Sequence, residues 1–244
     1  MNHRAVINVG VGSWYPRGHD RLKQSLIDVG FQGRFFGWRN EFPPGSPTHE
    51  ECPDAFKSYA FQHAIREGCT TILWLDCSVW AMNPVEPLFD IIEGQGYYFL
   101  DGGCGYVGNW CKDSALPTLR LTREQAMLIP NLYGLLMGID YTWTANPNSK
   151  GWLDEFNYIS QDGVTLPGPH PKARQPVFDG GANLIEHGEI SDDPRVFGHA
   201  HEQTVASALA YHYDMKLRPY ELIDIIDSGG VIRDPSKLLG AGGM

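Results

Sequence analysis

The run Thr70-Thr71-Ile72-Leu73-Trp74-Leu75-Asp76-Cys77-Ser78-Val79-Trp80-Ala81 decides how the rest of the chain is read. Residues 71–75 carry no charge and pair β-branched with large apolar side chains, the pattern of a strand covered on both faces. Asp76 ends that run. A carboxylate is cheap to hold at the mouth of a cleft and costly to bury in a core. Asp76 therefore reads in two ways, as a group facing a ligand or as the cap of the turn that follows.

Upstream of this strand, residues 53–67 place Phe56, Ala60, Phe61 and Ala64 at helical spacing, with Gly68 as the stop. Earlier still, residues 5–9 form a β-branched run ending in Gly10, Gly12 and Ser13. Residues 19–29 put Leu22, Leu26 and Val29 on one helical face before Gly30, and residues 34–38 read as a strand. Downstream, a proline-opened helix over 84–92 precedes a strand over 97–100. Strand and helix in this alternation predict an α/β fold, a mostly parallel sheet flanked by helices.

The middle of the chain, residues 102–176, is less regular. It holds Trp110, Trp143 and Trp152 and one mixed helical stretch near 122–138 that Pro130 interrupts. A long irregular insertion of this kind serves as a lid or acceptor region. Regular pattern returns with Val177-Phe178-Asp179-Gly180-Gly181-Ala182-Asn183-Leu184-Ile185, read as a strand, and with a helix over 201–213. No internal repeat appears, so residues 1–244 read as a single domain.

A net charge of −10 argues against duplex nucleic acid as a partner, since such binding depends on Lys and Arg neutralising phosphates. The five cysteines form no Cys-x-x-Cys pair, which predicts reduced thiols and a cytoplasmic setting. The first residues lack the apolar core of a secretory signal, and no apolar run reaches the ~18 residues of a membrane span. His170, His199 and His201 show no His-Glu-x-x-His spacing and are expected in the core or on the surface rather than on a metal.

In an open α/β sheet, ligands sit beyond the carboxyl ends of the strands. Three such ends carry polar or glycine-rich signals: Gly10-Val11-Gly12-Ser13-Trp14-Tyr15, Asp76-Cys77-Ser78 and Asp179-Gly180-Gly181. The first lacks the third glycine of a Gly-x-Gly-x-x-Gly fingerprint, which argues against NAD.

Ala55-Phe56-Lys57, then the strand ending in Asp76-Cys77-Ser78, then Pro87-Leu88-Phe89 resemble the donor-site core of GT-A glycosyltransferases, in particular the glycogenin-like and galactosyltransferase-like families. Phe178-Asp179-Gly180-Gly181 is similar to their Phe-Asn-x-Gly strand, and Glu202-Gln203 to their Asp-Gln helix start. The resemblance runs from about residue 5 to residue 209 and implies a transferase that takes a sugar from a nucleotide-diphosphate sugar. It implies that Asp76 contacts Mg²⁺ or Mn²⁺ or the donor ribose, with Ser78 at the second ligand place of an Asp-x-Asp motif. Gly12, Tyr15, Lys57, Gly180, Gly181 and Gln203 would line the donor, and Asp179 the donor sugar at the reacting centre. Glu202 would be the base or the electrostatic stabiliser. The sequence departs from the family at Ser78, Asp179 and Glu202, and Ser228-Gly229-Gly230-Val231-Ile232-Arg233 is the nearest match to a late His-x-x-Gly-x-Lys signal. These departures leave both metal-dependent and metal-independent chemistry open, as well as retention and inversion. A sugar, a small molecule or a protein side chain would be the acceptor.

Blander readings stand beside these. A helical lysine such as Lys57 is ordinarily solvated, a first-turn glutamate such as Glu202 complements the helix dipole, and a double glycine marks a bulge. Two other functions fit parts of the pattern. One is a catalytically inactive sugar-nucleotide-binding domain, suggested by the missing second aspartate. The other is a haloacid-dehalogenase-like phosphotransferase with Asp76 as nucleophile, although that motif normally opens the first strand of its chain.

Overall fold

The computed structural model describes residues 3–168, 190–225, 232 and 234–242. In chain order the elements are β1 (Arg4–Gly10), α1 (Tyr15–Asp28), β2 (Arg34–Arg39), α2 (Phe56–Arg66), β3 (Thr71–Leu75), β4 (Val79–Ala81), α3 (Glu86–Gln95) and β5 (Tyr97–Tyr106). Then follow α4 (Arg123–Ala126), β6 (Pro130–Asp140), α5 (Ser149–Ile159), α6 (His201–His212), β7 (Ile223–Ile225) and β8 (Leu239–Ala241).

The central sheet has five strands in the order β2-β1-β3-β6-β5. β1 pairs in parallel with both β2 and β3, while β6 runs antiparallel to β3 and to β5. Four strands thus point one way and β6 is the reversed one. Alternation along the strands divides the core. Ala5, Ile7, Val9, Ile72 and Trp74 pack with α2, α5 and α6 on one face. Val6, Leu73 and Leu75 pack with α1, α3 and the β4-β8-β7 sheet on the other.

Glycines end the early helices. Gly68 takes φ +85° as Cys69 N–H returns to the Ala64 carbonyl at 3.0 Å, and Gly96 takes φ +91° with its N–H on Ile92 at 2.7 Å.

The helical stretch expected near 122–138 is corrected by the fold. Only Arg123–Ala126 is helical, and Pro130–Asp140 is an interior strand of the sheet. Leu132, Leu136, Met137 and Ile139 are buried because β6 has packed layers on both sides, so its sequence lacks the alternation that marks a half-exposed strand. The region 102–176 therefore contributes core as well as loops, including α5 with Trp152 and Phe156 fully buried. Among the described residues no helix is long and apolar enough to cross a membrane. Cys52, Cys69, Cys77 and Cys111 are buried free thiols.

Candidate functional site

β1 and β3 are parallel neighbours, so the loop after Gly10 and the turn after Leu75 emerge on the same edge of the sheet. A buried polar network fixes that edge. Asn8, fully buried on β1, donates from Nδ2 to the Leu75 carbonyl at 2.7 Å, and its Oδ1 accepts from His19 Nδ1 at 2.7 Å and Cys77 Sγ at 3.4 Å. Burial pushes the His19 imidazole down, keeping it neutral, and pushes the Cys77 thiol up to about 12. A Cβ at Gly10 would lie 2.7 Å from His19 Cβ, and one at Gly37 would lie 2.2 Å from His19 Cε1, so Gly10 makes room for the base of this side chain and Gly37 for its ring.

Asp76 is half-buried at the end of β3. Its Oδ1 accepts from Ser78 N–H and Ser78 Oγ, both at 2.9 Å, while Val79 N–H closes the turn on the Asp76 carbonyl at 3.0 Å. The turn-cap reading of this residue is met at Oδ1. One oxygen caps the turn, and Oδ2 takes no hydrogen bond from the described residues. Ser78 also accepts, through its carbonyl, from Arg21 at 3.0 Å and from Gly242 N–H at 3.1 Å, which ties the end of the chain to this turn. Arg21 in turn stacks 4.2 Å over the Trp80 ring.

Lys57 corrects the expectation of a solvated helix lysine. It lies in the first turn of α2, is 5% exposed, and its Nζ forms an ion pair with Glu202 Oε1. The ammonium also sits 5.1 Å over the buried Trp74 ring. Burial alone would lower the Lys57 pKa, but the carboxylates of Glu202, Asp54 and Asp76 outweigh it and hold the ammonium charged. Glu202, 4% exposed, is pushed up to about 7, first by burial and then by the nearby Asp54 carboxylate; Lys57 pulls the other way.

Glu202 is brought here by α6, a helix buried almost all round. Ser207 Oγ accepts from Leu132 N–H at 2.9 Å and Ala200 N–H donates to the Trp110 carbonyl at 3.0 Å. Gly134 on β6 leaves the space: a Cβ there would lie 2.7 Å from Glu202 Oε1 and 2.9 Å from Gln203 Nε2. The Gly134 carbonyl accepts from Trp74 Nε1 at 3.1 Å, which locks the floor of the site. His199 and His201 are core histidines, bonded to the carbonyls of Thr165 at 2.8 Å and Leu166 at 3.0 Å. Lys112 donates to the carbonyls of Val164 and Pro167 and holds the same loop against α6.

At the mouth, Gly12 takes φ +110° and Trp14 and Tyr15 are 55% and 45% exposed at the start of α1. The Tyr15 phenol is pushed up by burial and by the nearby Asp76 and Asp54 carboxylates. Lys57, Glu202, Gln203, Asp76, Ser78, Gly12 and Tyr15 therefore belong to one region. Asp179, Gly180 and Gly181, with the strand expected over 177–185, lie outside the described residues. Asp54, Trp74 and Gly134 were not legible as site residues. Asp54 carries no motif, Trp74 reads as core, and Gly134 reads as an isolated glycine.

Among the described residues no group of three or more His, Cys, Asp and Glu side chains is placed to hold a metal. The residues present fit a single-carboxylate attachment through Asp76 Oδ2, since Mg²⁺-type ions are commonly held by one or two carboxylates together with substrate phosphates.

No protein-family model matches the chain, and no curated protein matches its sequence. Solved structures similar in backbone course include a glycosyltransferase involved in the glycosylation of the major capsid of PBCV-1, with 11% identity and a TM-score of 0.48, over 98% of this chain and 91% of that one. The WbbM bifunctional glycosyltransferase in its apo form gives 8% identity and a TM-score of 0.46, over 92% of this chain and 40% of that one. Mouse xyloside xylosyltransferase 1, also apo, gives 8% identity and a TM-score of 0.44, over 99% of this chain and 97% of that one.

Proposed function

We propose that this protein is a GT-A-type glycosyltransferase that uses a nucleotide-diphosphate sugar. The observation that carries the reading is the placement of Asp76 on the sheet edge that also presents Trp14 and Tyr15, within electrostatic reach of the buried cation Lys57. Exposed aromatic rings suit a nucleotide base, and a buried cation behind Asp76 offsets the negative potential that a diphosphate would meet there. Gly12, Gln203, Asp179, Gly180 and Gly181 would complete the donor site, Gly12 on the nucleotide side and the others on the sugar side. A Mg²⁺ or Mn²⁺ held by Asp76 and the diphosphate would neutralise charge on the leaving group. Ser78 orients the Asp76 carboxylate by donating to Oδ1. Glu202, buried and ion-paired, acts as the electrostatic partner that positions Lys57 rather than as a base in contact with substrate. The acceptor would be a sugar, a small molecule or a protein side chain.

The test is thermal stabilisation by UDP- and GDP-sugars, with and without Mn²⁺, followed by nucleoside-diphosphate release. Stabilisation and release that both disappear in Asp76→Ala support the reading. No stabilisation by any sugar nucleotide overturns it.

A further inference from the structure

A second cleft, lined by none of the donor-site residues, opens on the sheet edge that carries Asp76. β2 runs parallel to β1, and Asn40 N–H donates to the Gly10 carbonyl at 2.8 Å, so the loop that leads from β2 to α2 starts at that edge. β6 ends on the opposite edge, where Ser149 Oγ donates to the Asp140 carbonyl at 2.8 Å, and α5 runs back from there. Loop residues 45–52 and Tyr59 of α2 form one wall of the cleft; Ser160, Gln161 and Gly163, just past α5, form the other. Ser58 Oγ on α2 donates to Asn157 Oδ1 on α5 at 2.9 Å and fixes the two walls relative to each other. Asp162 Oδ1 accepts from Val164 N–H and Thr165 N–H, both at 2.8 Å, and sets the turn beyond α5. The cleft encloses about 460 Å³, within the roughly 300–1,000 Å³ of small-molecule sites.

Its lining selects a class of ligand. No lysine or arginine lines it among the described residues, so a phosphate or a nucleotide finds no cation there. Glu51 is the one charged lining residue. Thr48 N–H and Oγ1 donate to its Oε2 at 2.8 and 3.0 Å, and Oε1 takes no hydrogen bond from the described residues. Cys52 beside it is 6% exposed, and burial pushes its thiol up to about 11, so it adds no charge. Ser160 is 2% exposed, and its Oγ has no hydrogen-bond partner among the described residues, an unmet bond that a hydroxyl entering the cleft would fill. Gln161 is exposed, and Tyr59 brings a half-buried ring. Gly45, at φ +80°, stands where a Cβ would lie 4.0 Å from Tyr59 Cε1 and leaves that ring edge bare. A cation would use Glu51 alone. A neutral ring with many hydroxyls uses the aromatic face, the carboxylate, the amide and the hydroxyl together.

We propose that this cleft binds a saccharide acceptor, with Tyr59 against a sugar ring and Glu51, Ser160 and Gln161 bonding its hydroxyls. The inference rests on the glycosyl-transfer reading above and narrows its acceptor to a sugar.

The experiment is saturation-transfer NMR titration of the full chain with maltose, cellobiose, lactose, xylobiose and mannobiose, and with glucose 6-phosphate and spermidine as charged controls. Wild type is compared with Tyr59→Ala, Gln161→Ala and Glu51→Gln. Gln161 is exposed, and a glutamine at 51 keeps an oxygen for Thr48, so Q161A and E51Q are expected to fold. At least one disaccharide should bind wild type, with Kd raised about tenfold in Y59A and about threefold or more in Q161A and E51Q. Thermal shifts induced by UDP- and GDP-sugars should match wild type in all three variants. No bound disaccharide, disaccharide binding unchanged in all three variants, or binding of glucose 6-phosphate or spermidine alone overturns the site and leaves the donor reading standing. A wild type stabilised by no sugar nucleotide overturns the glycosyl-transfer reading, and the acceptor role falls with it even where the variants weaken disaccharide binding.

Discussion

Lys57 Nζ and Glu202 Oε1 meet as a buried ion pair between residues 145 positions apart, with less than a tenth of either side chain exposed. Removing one partner of such a pair strands the other, whereas removing both need not destabilise. The surroundings make the two halves unequal. Lys57→Met leaves Glu202, Asp54 and Asp76 with no cation, while Glu202→Leu leaves Lys57 still facing two carboxylates. Urea unfolding should show a loss of about 3–5 kcal/mol for K57M, a smaller loss for E202L, and a double variant more stable than K57M alone. Equal losses that simply add would show that the two side chains are not coupled.

The protonation of Glu202 sets a direction for stability against pH. Its carboxyl rises from 4.5 to about 7 on folding, because burial and Asp54 disfavour its charge. Between those values the folded chain holds a proton that the unfolded chain has released, so this group's contribution is fully present below pH 4.5 and is lost as pH rises through 7. Glu202→Gln cannot titrate, and its stability should fall less steeply across that window than wild type. Parallel curves from urea titrations at several pH values would show that Glu202 titrates normally.

Gly134 gives a steric prediction. Its missing Cβ is the space occupied by Glu202 Oε1 and Gln203 Nε2, and Glu202 is held in place by Lys57. Gly134→Ala should cost about 1–3 kcal/mol, as overpacking does. Gly138→Ala on the same strand meets Ile92 Cδ1 at 2.5 Å and Cγ1 at 2.9 Å, atoms of a fully buried β-branched side chain, and should cost a similar amount. Thermal melting of both variants against wild type measures the two costs. A G134A protein as stable as wild type would remove the packing role assigned to Gly134.

What the sequence displayed and what it hid follow from one physical difference. Residues 71–75 announce a buried strand by composition alone, and the helices facing it announce themselves by spacing, because those signals are local. β6 did not, because a strand covered on both faces has neither alternation nor polar punctuation and reads like a buried helix once Pro130 opens it. Lys57 and Glu202 were picked out singly by resemblance, yet their partnership depends on α2 and α6 packing on the same sheet face, which no local pattern encodes. Asp54 was invisible for the same reason: it acts on the charges of Glu202 and Lys57, which only the fold brings near it.

Asp76 is both the cap of its turn and the proposed donor ligand, and one substitution separates these roles. Asp76→Asn keeps an oxygen that can accept from Ser78 N–H and Oγ, so the turn should persist and stability should stay within about 1 kcal/mol of wild type. The charge at Oδ2 is lost. If Asp76 serves the donor, D76N should lose any Mn²⁺-dependent part of its thermal shift with UDP- or GDP-sugars and lower nucleoside-diphosphate release at least tenfold. Ser78→Ala does the opposite: it keeps the charge, removes one of the two hydrogen bonds that orient it, costs about 1 kcal/mol of stability and weakens donor binding only a few-fold. A D76N protein that binds and turns over donor like wild type would leave Asp76 as a turn cap alone and move the donor site elsewhere on the sheet edge.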